Sequence, residues 1–284
     1  MSIENIGIIG RGFVGGSIEK LMRFRGRPVE AFDAKDGDPE EGYSRVVSHS
    51  NLIYVAVPTP MDENGKCHTD IIRNSLSLID KYCECHKKDP LVFIKSTMSP
   101  GTSDGLKSEF TKLRIITNPE FLTERNAYED LKNSSSHIIG LSDRQLCPIL
   151  YRFHRDVWPE SSCMFVSNTQ AELIKYLINN YLAVRVAFAN QYYQLCEALN
   201  VDYQSTIDVA KFHDKRIGGS HWQVPGIDGE LGFGGKCFPK DLNGMIALFK
   251  ELGVDCPLLE AAWDYNLQIR SDKDWERIEG ATTN

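Results

Sequence analysis

Seven short apolar runs, several of them separated by helical stretches, fill the first 167 residues, and one long helical pattern follows them. With a glycine-rich turn directly after the first run, these observations predict an α/β chain. It has an N-terminal doubly wound parallel sheet, then an all-helical domain with a long central helix. The expected domains are residues 1–167 and 168–284. A chain of 284 residues holds one large or two medium domains around a real core. An apolar content of 42% and a charged content of 25% fit an ordinary soluble globular protein. The net charge of -7, with both signs interspersed, argues against a nucleic-acid partner. No apolar run approaches membrane-spanning length, and "MSIENIGIIGRGFVGG" lacks a basic leader, so no membrane partner and a cytoplasmic location are expected. Eight scattered cysteines are too sparse for a disulfide scaffold. Cys83 and Cys85 form the only close pair, and no metal site is expected.

The first element is the run "IENIGII", followed at once by "GRGFVGGSIEKLM". Gly10, Gly12 and Gly15 make G-x-G-x-x-G at the start of a helix carrying Val14, Ile18, Leu21 and Met22. The second strand, "VEAFDAK", ends near Asp33, 21 residues beyond Gly12. A glycine triplet alone is weak. Strand, triplet, helix, strand and acidic terminus together form the Rossmann-like dinucleotide fingerprint. Gly12 lets the backbone approach a pyrophosphate at the helix N-terminus. Asp33 accepts from a ribose diol and repels a 2′-phosphate, which favours NAD, although Lys35 adds a nearby cation.

The sheet continues through "NLIYVAVPT", "LVFIKST", "LRIITNPEF", "SHIIGL" and "CMFVS". Ligands of such sheets sit outside the carboxyl ends of the strands, where Thr59, Thr97 and Glu120 fall. Each alone reads better as a turn residue or helix cap.

The long helix is "TQAELIKYLINNYLAVRVAFANQYYQLCEALN", with Thr169 and Glu172 spaced as a capping box and Asn200 as a left-handed C-cap. Leu173, Leu177, Tyr181, Val184, Phe188, Tyr192, Leu195 and Leu199 form one stripe, with Ile178, Leu182 and Val186 on another side. Apolar residues on several faces predict a buried helix, often at a subunit contact. Lys175 and Asn179 lie four apart on one face. A lysine buried there needs a partner or a job, and at a helix end it snorkels equally well.

"GFGGKCFPKD" places Cys237 behind a glycine pair and ahead of Lys240 and Asp241. A thiol there is a buried hydrophobe, a metal ligand or a nucleophile. Beside a nicotinamide the last has a definite chemistry. An alcohol becomes an aldehyde, a thiolate adds to it, and a second hydride loss leaves a thioester that water cleaves to an acid. Lys175 and Asn179 are candidates for the oxyanion, and Asp241 and Glu120 for proton handling.

The chain resembles the UDP-glucose/GDP-mannose dehydrogenases through motifs in family order: "GRGFVGG", "VAVPTP", "KSTMSPGT", "NPEFLTE", "AELIKYLINNYLA", "KRIGG" and "GFGGKCFPKD". The resemblance implies two NAD-dependent oxidations of a sugar C6 alcohol, with Cys237 as thiol nucleophile. It places substrate contacts at Glu120, Phe121, Leu122, Lys175, Asn179, Phe233 and Gly234, and a water-orienting aspartate at Asp241. NAD contacts are implied at Gly10, Gly12, Phe13, Val14, Asp33, Lys35, Thr59, Thr97, Glu124 and Lys240, and Thr97 also counts as catalytic. It implies a homodimer through the long helix, with Arg216 reaching into the partner's sugar site. UDP-glucose is the preferred substrate by resemblance. GDP-mannose, an N-acetylated UDP-sugar, a non-catalytic NAD-binding dimer, a partial enzyme needing a partner chain, and a one-step hydroxyacid dehydrogenase are the alternatives.

Two departures stand out. Arg125 replaces a usual glycine, and the chain stops after "DWERIEGATTN" where the family continues into a C-terminal nucleotide-holding domain. The loop "HWQVPGIDGE" is also longer than usual. Its Trp222 and Pro225 read as surface packing or as cover for the exposed site.

Overall fold

The computed structural model describes residues 2–283 and every side chain among them except that of Glu124. All seven apolar runs become strands: β1 Ile6–Ile9, β2 Val29–Phe32, β3 Leu52–Val55, β4 Leu91–Ile94, β5 Arg114–Thr117, β6 Ser136–Gly140 and β7 Ser162–Val166. Among the described residues they make one sheet in the order β2-β1-β3-β4-β5-β6-β7. Helices α1 Phe13–Phe24, α2 Pro39–His49, α3 Asp70–His86, α4 Thr102–Glu109, α5 Ala127–Lys132 and α6 Cys147–Val157 lie between strands. Most strand pairs are parallel, but β5 meets β6 antiparallel, with Thr117 opposite Gly140. The sheet is the doubly wound, mostly parallel one expected, with one antiparallel junction.

Strand residues alternate between two cores. Leu52, Tyr54, Leu91 and Phe93 pack with Leu21 and Met22 of α1 and Leu150 and Phe153 of α6. Ile53, Val55, Val92 and Ile94 pack with Val46 and Val47 of α2 and Ile72, Leu76 and Ile79 of α3. Burial on both faces is why the strands read as unbroken apolar runs. The order reverses between β1 and β3, and that switch point opens at the carboxyl ends where the glycine turn lies.

The chain forms two compact units. One comprises the residues up to Thr59 and His68–Lys175; the other, Pro60–Cys67 and the chain from Tyr176 on. The long helix, α7, runs Asn168–Leu199, and α8 Tyr203–His213, α9 Phe238–Glu251 and α10 Pro257–Ile269 follow. Segment 60–67 belongs to the helical unit: Met61 pairs with Cys67 and with Thr282, and Lys66 meets Glu251 at 2.9 Å.

Two expectations for α7 change. Asn200 does end it in a left-handed conformation (φ 54°). At the other end Glu172 caps not its own helix but α4, accepting from the Gly101 N–H at 2.7 Å and the Ser103 N–H at 2.8 Å. Those are orphan donors of a helix start, and Thr169 bonds Asp104 instead. Burial pushes the Glu172 carboxyl up to about 7. The apolar stripe is not buried within the chain: Leu177 is 62% exposed, Tyr181 56%, Leu195 50% and Leu199 63%. Other sides of α7 supply the core instead, through Ala183, Ala189 and Cys196. Trp222 packs in that core beside Tyr203 and Ile207, which assigns its loop to packing.

His137 in β6 and His154 in α6 stack with Trp158, with ring centroids 4.3 to 5.4 Å apart. The ring nitrogens His137 Nε2 and His154 Nδ1 and Nε2 have no hydrogen-bond partner among the described residues. Burial, with Lys95 and His154 adding, pushes His137 down to about 3. Both imidazoles are therefore held neutral. Below the unfolded-state value of about 6.5 the unfolded chain binds protons that the native site refuses. Stability is thus complete above that pH and falls as pH drops toward 3. Urea unfolding at pH 7, 6 and 5 should show that loss, and His137→Phe should flatten it; an equal slope in the variant would contradict this account.

Candidate active site

The glycine turn is shaped by close approaches. Gly10 has φ +87°, and a Cβ there would sit 2.6 Å from the Ala56 carbonyl oxygen; one on Gly15 would meet Gly10 O at 1.8 Å. Around Gly12 nothing lies within 4 Å, so its missing side chain leaves open space at the start of α1. Gly10 and Gly15 are small for the fold, whereas Gly12 leaves room for something outside it. Phe13 and Val14 begin the helix there, partly buried.

At the end of β2, Asp33 accepts from the Arg11 N–H at 2.7 Å and the Lys35 N–H at 3.2 Å. Those amides, Arg11's first, hold its carboxyl below the usual range, so it presents an ionised acceptor beside the turn. Thr59 is buried and Thr97 half-buried, both beyond strand ends. The side chain of Glu124 lies outside the described residues; its backbone begins a short 3-10 turn that also holds Arg125.

Beyond β5 the turn Asn118–Glu120 is gripped by two buried lysines. Lys175 donates to the Glu120 carbonyl at 2.6 Å and to its carboxylate at 3.1 Å, with side chains 4% and 7% exposed. The Leu122 N–H donates to the other Glu120 oxygen at 2.7 Å. The Lys175 ammonium also lies 5.4 Å from the centre of the exposed Phe121 ring. Lys95, at the end of β4, donates to Asn118 Oδ1 at 3.0 Å. Burial first, then Lys175, lowers Lys95 to about 8, against the opposing pull of Glu120. Sequence reading missed Lys95; its signal was a lysine closing the apolar run "LVFIK".

In the helical unit Asp241 is 1% exposed and accepts from Asn179 Nδ2 and Lys240 Nζ, each at 2.5 Å. Each oxygen of this buried carboxyl group is engaged by its own donor. That favours orienting its neighbours over acting as a free base. Burial pulls Lys240 down, but Asp241, Cys67 and Cys237 outweigh it and hold the ammonium above the ordinary lysine value. Lys240 is thus the cation next to both thiols, and Cys67 is a neighbour that the motif did not predict. Cys237 is half-buried at the head of α9, where its carbonyl accepts from the Asp241 N–H at 2.8 Å. A helix N-terminus and a nearby ammonium both favour a thiolate. Lys175 and Asn179 each spend only part of their donor capacity, leaving N–H groups one turn apart on α7.

The remaining expected residues sit differently. Phe233 is core, 4% exposed, packed with Phe238 and Trp263, and both its backbone groups are bonded to Asn266. Gly234 is closed on one side by Arg270 and Asp274. Arg216 is an exposed side chain paired with Asp214. No group of three or more potential metal ligands occurs among the described residues, and none of their helices is long and apolar enough to cross a membrane.

Comparison with known proteins gives these features a family context. Residues 35–157 match the model of the NAD binding domain of the UDP-glucose/GDP-mannose dehydrogenase family, and residues 169–268 match that of its central domain. UDP-glucose 6-dehydrogenase of Rickettsia felis is 30% identical over 237 residues, covering 81% of this chain and 50% of that protein. The chain spans about half the length of the curated relatives it matches. Among solved structures, a UDP-glucose dehydrogenase from Pyrobaculum islandicum has a TM-score of 0.83 at 24% identity, covering 94% of this chain and 68% of its own. A Mycobacterium tuberculosis 3-hydroxyisobutyrate dehydrogenase shares the fold at a TM-score of 0.71 and 17% identity, covering 94% of both chains. The two domain matches together place this chain in the UDP-glucose/GDP-mannose dehydrogenase family.

Proposed function

We propose that the chain carries the cofactor and thiol machinery of a nucleotide-sugar 6-dehydrogenase that oxidises UDP-glucose to UDP-glucuronate. The observation that carries this reading is Cys237 at the head of α9, beside Lys240 and Asp241. The open space at Gly12 and the ionised Asp33 fit a dinucleotide with a free ribose diol. NAD, when bound, supplies the acceptor for one hydride in each of two oxidations. The net change is an alcohol, one water and two NAD giving a carboxylate, two NADH and three protons.

The residues of the chain supply the rest. The Cys237 sulfur adds to the aldehyde carbon, forming a C–S bond, while the carbonyl oxygen takes the negative charge. The remaining donors of Lys175 and Asn179 are assigned to that oxygen. After the second oxidation the C–S bond belongs to a thioester; water attacks it, the bond breaks and the thiol is restored. Asp241 holds Asn179 and Lys240 in place, and Glu120 holds Lys175. UDP-glucose is chosen because relatives such as the Rickettsia felis protein carry that substrate in their names.

With purified protein and a panel of nucleotide sugars, absorbance should record two NADH per UDP-glucose consumed. Cys237→Ser should lose the thioester step, and Lys175→Met should lower kcat by roughly a hundredfold to a thousandfold. One NADH per sugar, unaffected by thiol blockers, would mean a single-step dehydrogenase. Tight NAD binding with no turnover of any sugar would mean a binding module.

The same reading makes the chain a homodimer through α7, with Arg216 serving the partner. Support comes from the exposed stripe, which Phe188 and Tyr192 extend at 46% and 47%, and from Phe212 of α8 at 82%. Apolar surface that continuous marks an interaction site. Sedimentation should give a dimer that Tyr181→Glu with Leu195→Glu converts to monomer; an unchanged mass would place the interface elsewhere.

A further inference from the structure

We infer that Asn266, Arg270 and Asp274, assisted by Asn190, are positioning residues for the Cys237 thiol, fixing the loop that leads into it. The inference rests on the role proposed for Cys237. Residues 231–236 form neither helix nor strand, yet their backbone is bonded by side chains from elsewhere. Asn190 of α7 accepts from the Gly232 N–H at 3.1 Å. Asn266 of α10, fully buried, accepts from the Phe233 N–H at 2.7 Å and donates to the Phe233 carbonyl at 3.0 Å. One amide thus stands in for the two bonds that a neighbouring strand would make. Asp274 accepts from the Gly235 N–H at 2.9 Å. Arg270, its side chain 1% exposed, donates to the Leu231 carbonyl at 3.4 Å and pairs with Asp228 at 2.7 Å and Asp274 at 3.2 Å.

The glycines ahead of the thiol follow from this framework. Gly232 has φ +69°, and a Cβ there would sit 2.2 Å from Asn266 Oδ1. On Gly234 it would sit 2.3 Å from both Arg270 Nη2 and Asp274 Oδ1. The loop is glycine-rich because buried polar side chains occupy the space its own would fill. Past Gly235 the chain reaches Cys237, anchored from the far side by its carbonyl bond to the Asp241 N–H. The thiol is therefore held between a helix start and a loop with no secondary structure of its own. A displacement of about 1 Å at a reacting atom can cost a hundredfold in rate.

The test uses the full chain. Asn266→Leu and Asp274→Ala remove loop bonds, Asp274→Asn keeps an acceptor for Gly235, and Ile207→Ala is a destabilised control in another core cluster of the same unit. Each is measured for melting temperature, for kcat and KM by NADH formation, and for the iodoacetamide alkylation rate of the Cys237 peptide by mass spectrometry. Asn266→Leu and Asp274→Ala should lower kcat about a hundredfold with KM within about threefold. They should also change the alkylation rate about fivefold or more, while Asp274→Asn stays near wild type. Ile207→Ala should leave kcat and alkylation unchanged at a comparable loss of melting temperature. Loop variants indistinguishable from Ile207→Ala overturn the inference; if Asn266→Leu does not fold, Asp274→Ala against Asp274→Asn decides it. If the wild type turns over no sugar, the proposed function fails by itself. Alkylation then decides the positioning: a change confined to the loop variants upholds it, and no change overturns it.

Discussion

The carboxylate of Asp241 is the constraint around which the helical unit's chemistry is arranged. A polar group at 1% exposure is costly unless donors replace the water it has lost. Here Asn179 supplies one and Lys240 the other, at 2.5 Å each. Removing one partner of such a pair typically costs about 3–5 kcal/mol, because the other charge stays buried and unpaired. Since Asp241 sits in the first turn of α9, its demand for donors draws an ammonium to the end of the helix where Cys237 begins. Charge satisfaction and thiol environment are one arrangement.

The sheet unit solves the same problem with different residues. Glu120 is matched by Lys175 and by the Leu122 amide, but Lys95 brings a second ammonium to the same turn with only neutral oxygens to bond. Burial lowers Lys95 to about 8, with Glu120 opposing and Lys175 adding, and the two lysines reach the same turn. They explain why the Asn118–Glu120 turn is stiff: it is held from β4 and from α7 at once. A turn so held offers its outward-facing groups in a fixed geometry.

Much of this was legible in the sequence, and the exceptions share a cause. The strands were visible because burial on both faces leaves unbroken apolar runs. Gly10, Gly12, Asp33, Cys237 and Asp241 announced themselves through spacing along the chain. Lys95, Cys67, Asn266 and Arg270 did not, because their partners lie far away in sequence: Asn266 is 33 residues from Phe233. Glu172 was misassigned for the same reason. Its spacing from Thr169 satisfied a local rule, while the donors that win it lie 69 and 71 residues back, at the start of α4. The α7 stripe was read as buried because periodicity reports an apolar face without saying whether the same chain covers it.

A fold shared at comparable scores by a UDP-glucose dehydrogenase and a 3-hydroxyisobutyrate dehydrogenase cannot decide between two-step and one-step chemistry. What differs must reside in a few positions grafted onto it. Both oxidations need the same nucleotide cradle, so Gly12 and Asp33 are silent on the question. Only a nucleophile that keeps the aldehyde bound commits a site to the second hydride. In this chain the candidate sits on a loop with its own dedicated scaffold of Asn266, Arg270 and Asp274. Buried arginine and asparagine are an expensive way to hold a loop that only packs, since apolar residues would do so without desolvating charge. Their presence argues that the position of the residue the loop delivers, and not stability alone, is what the scaffold serves.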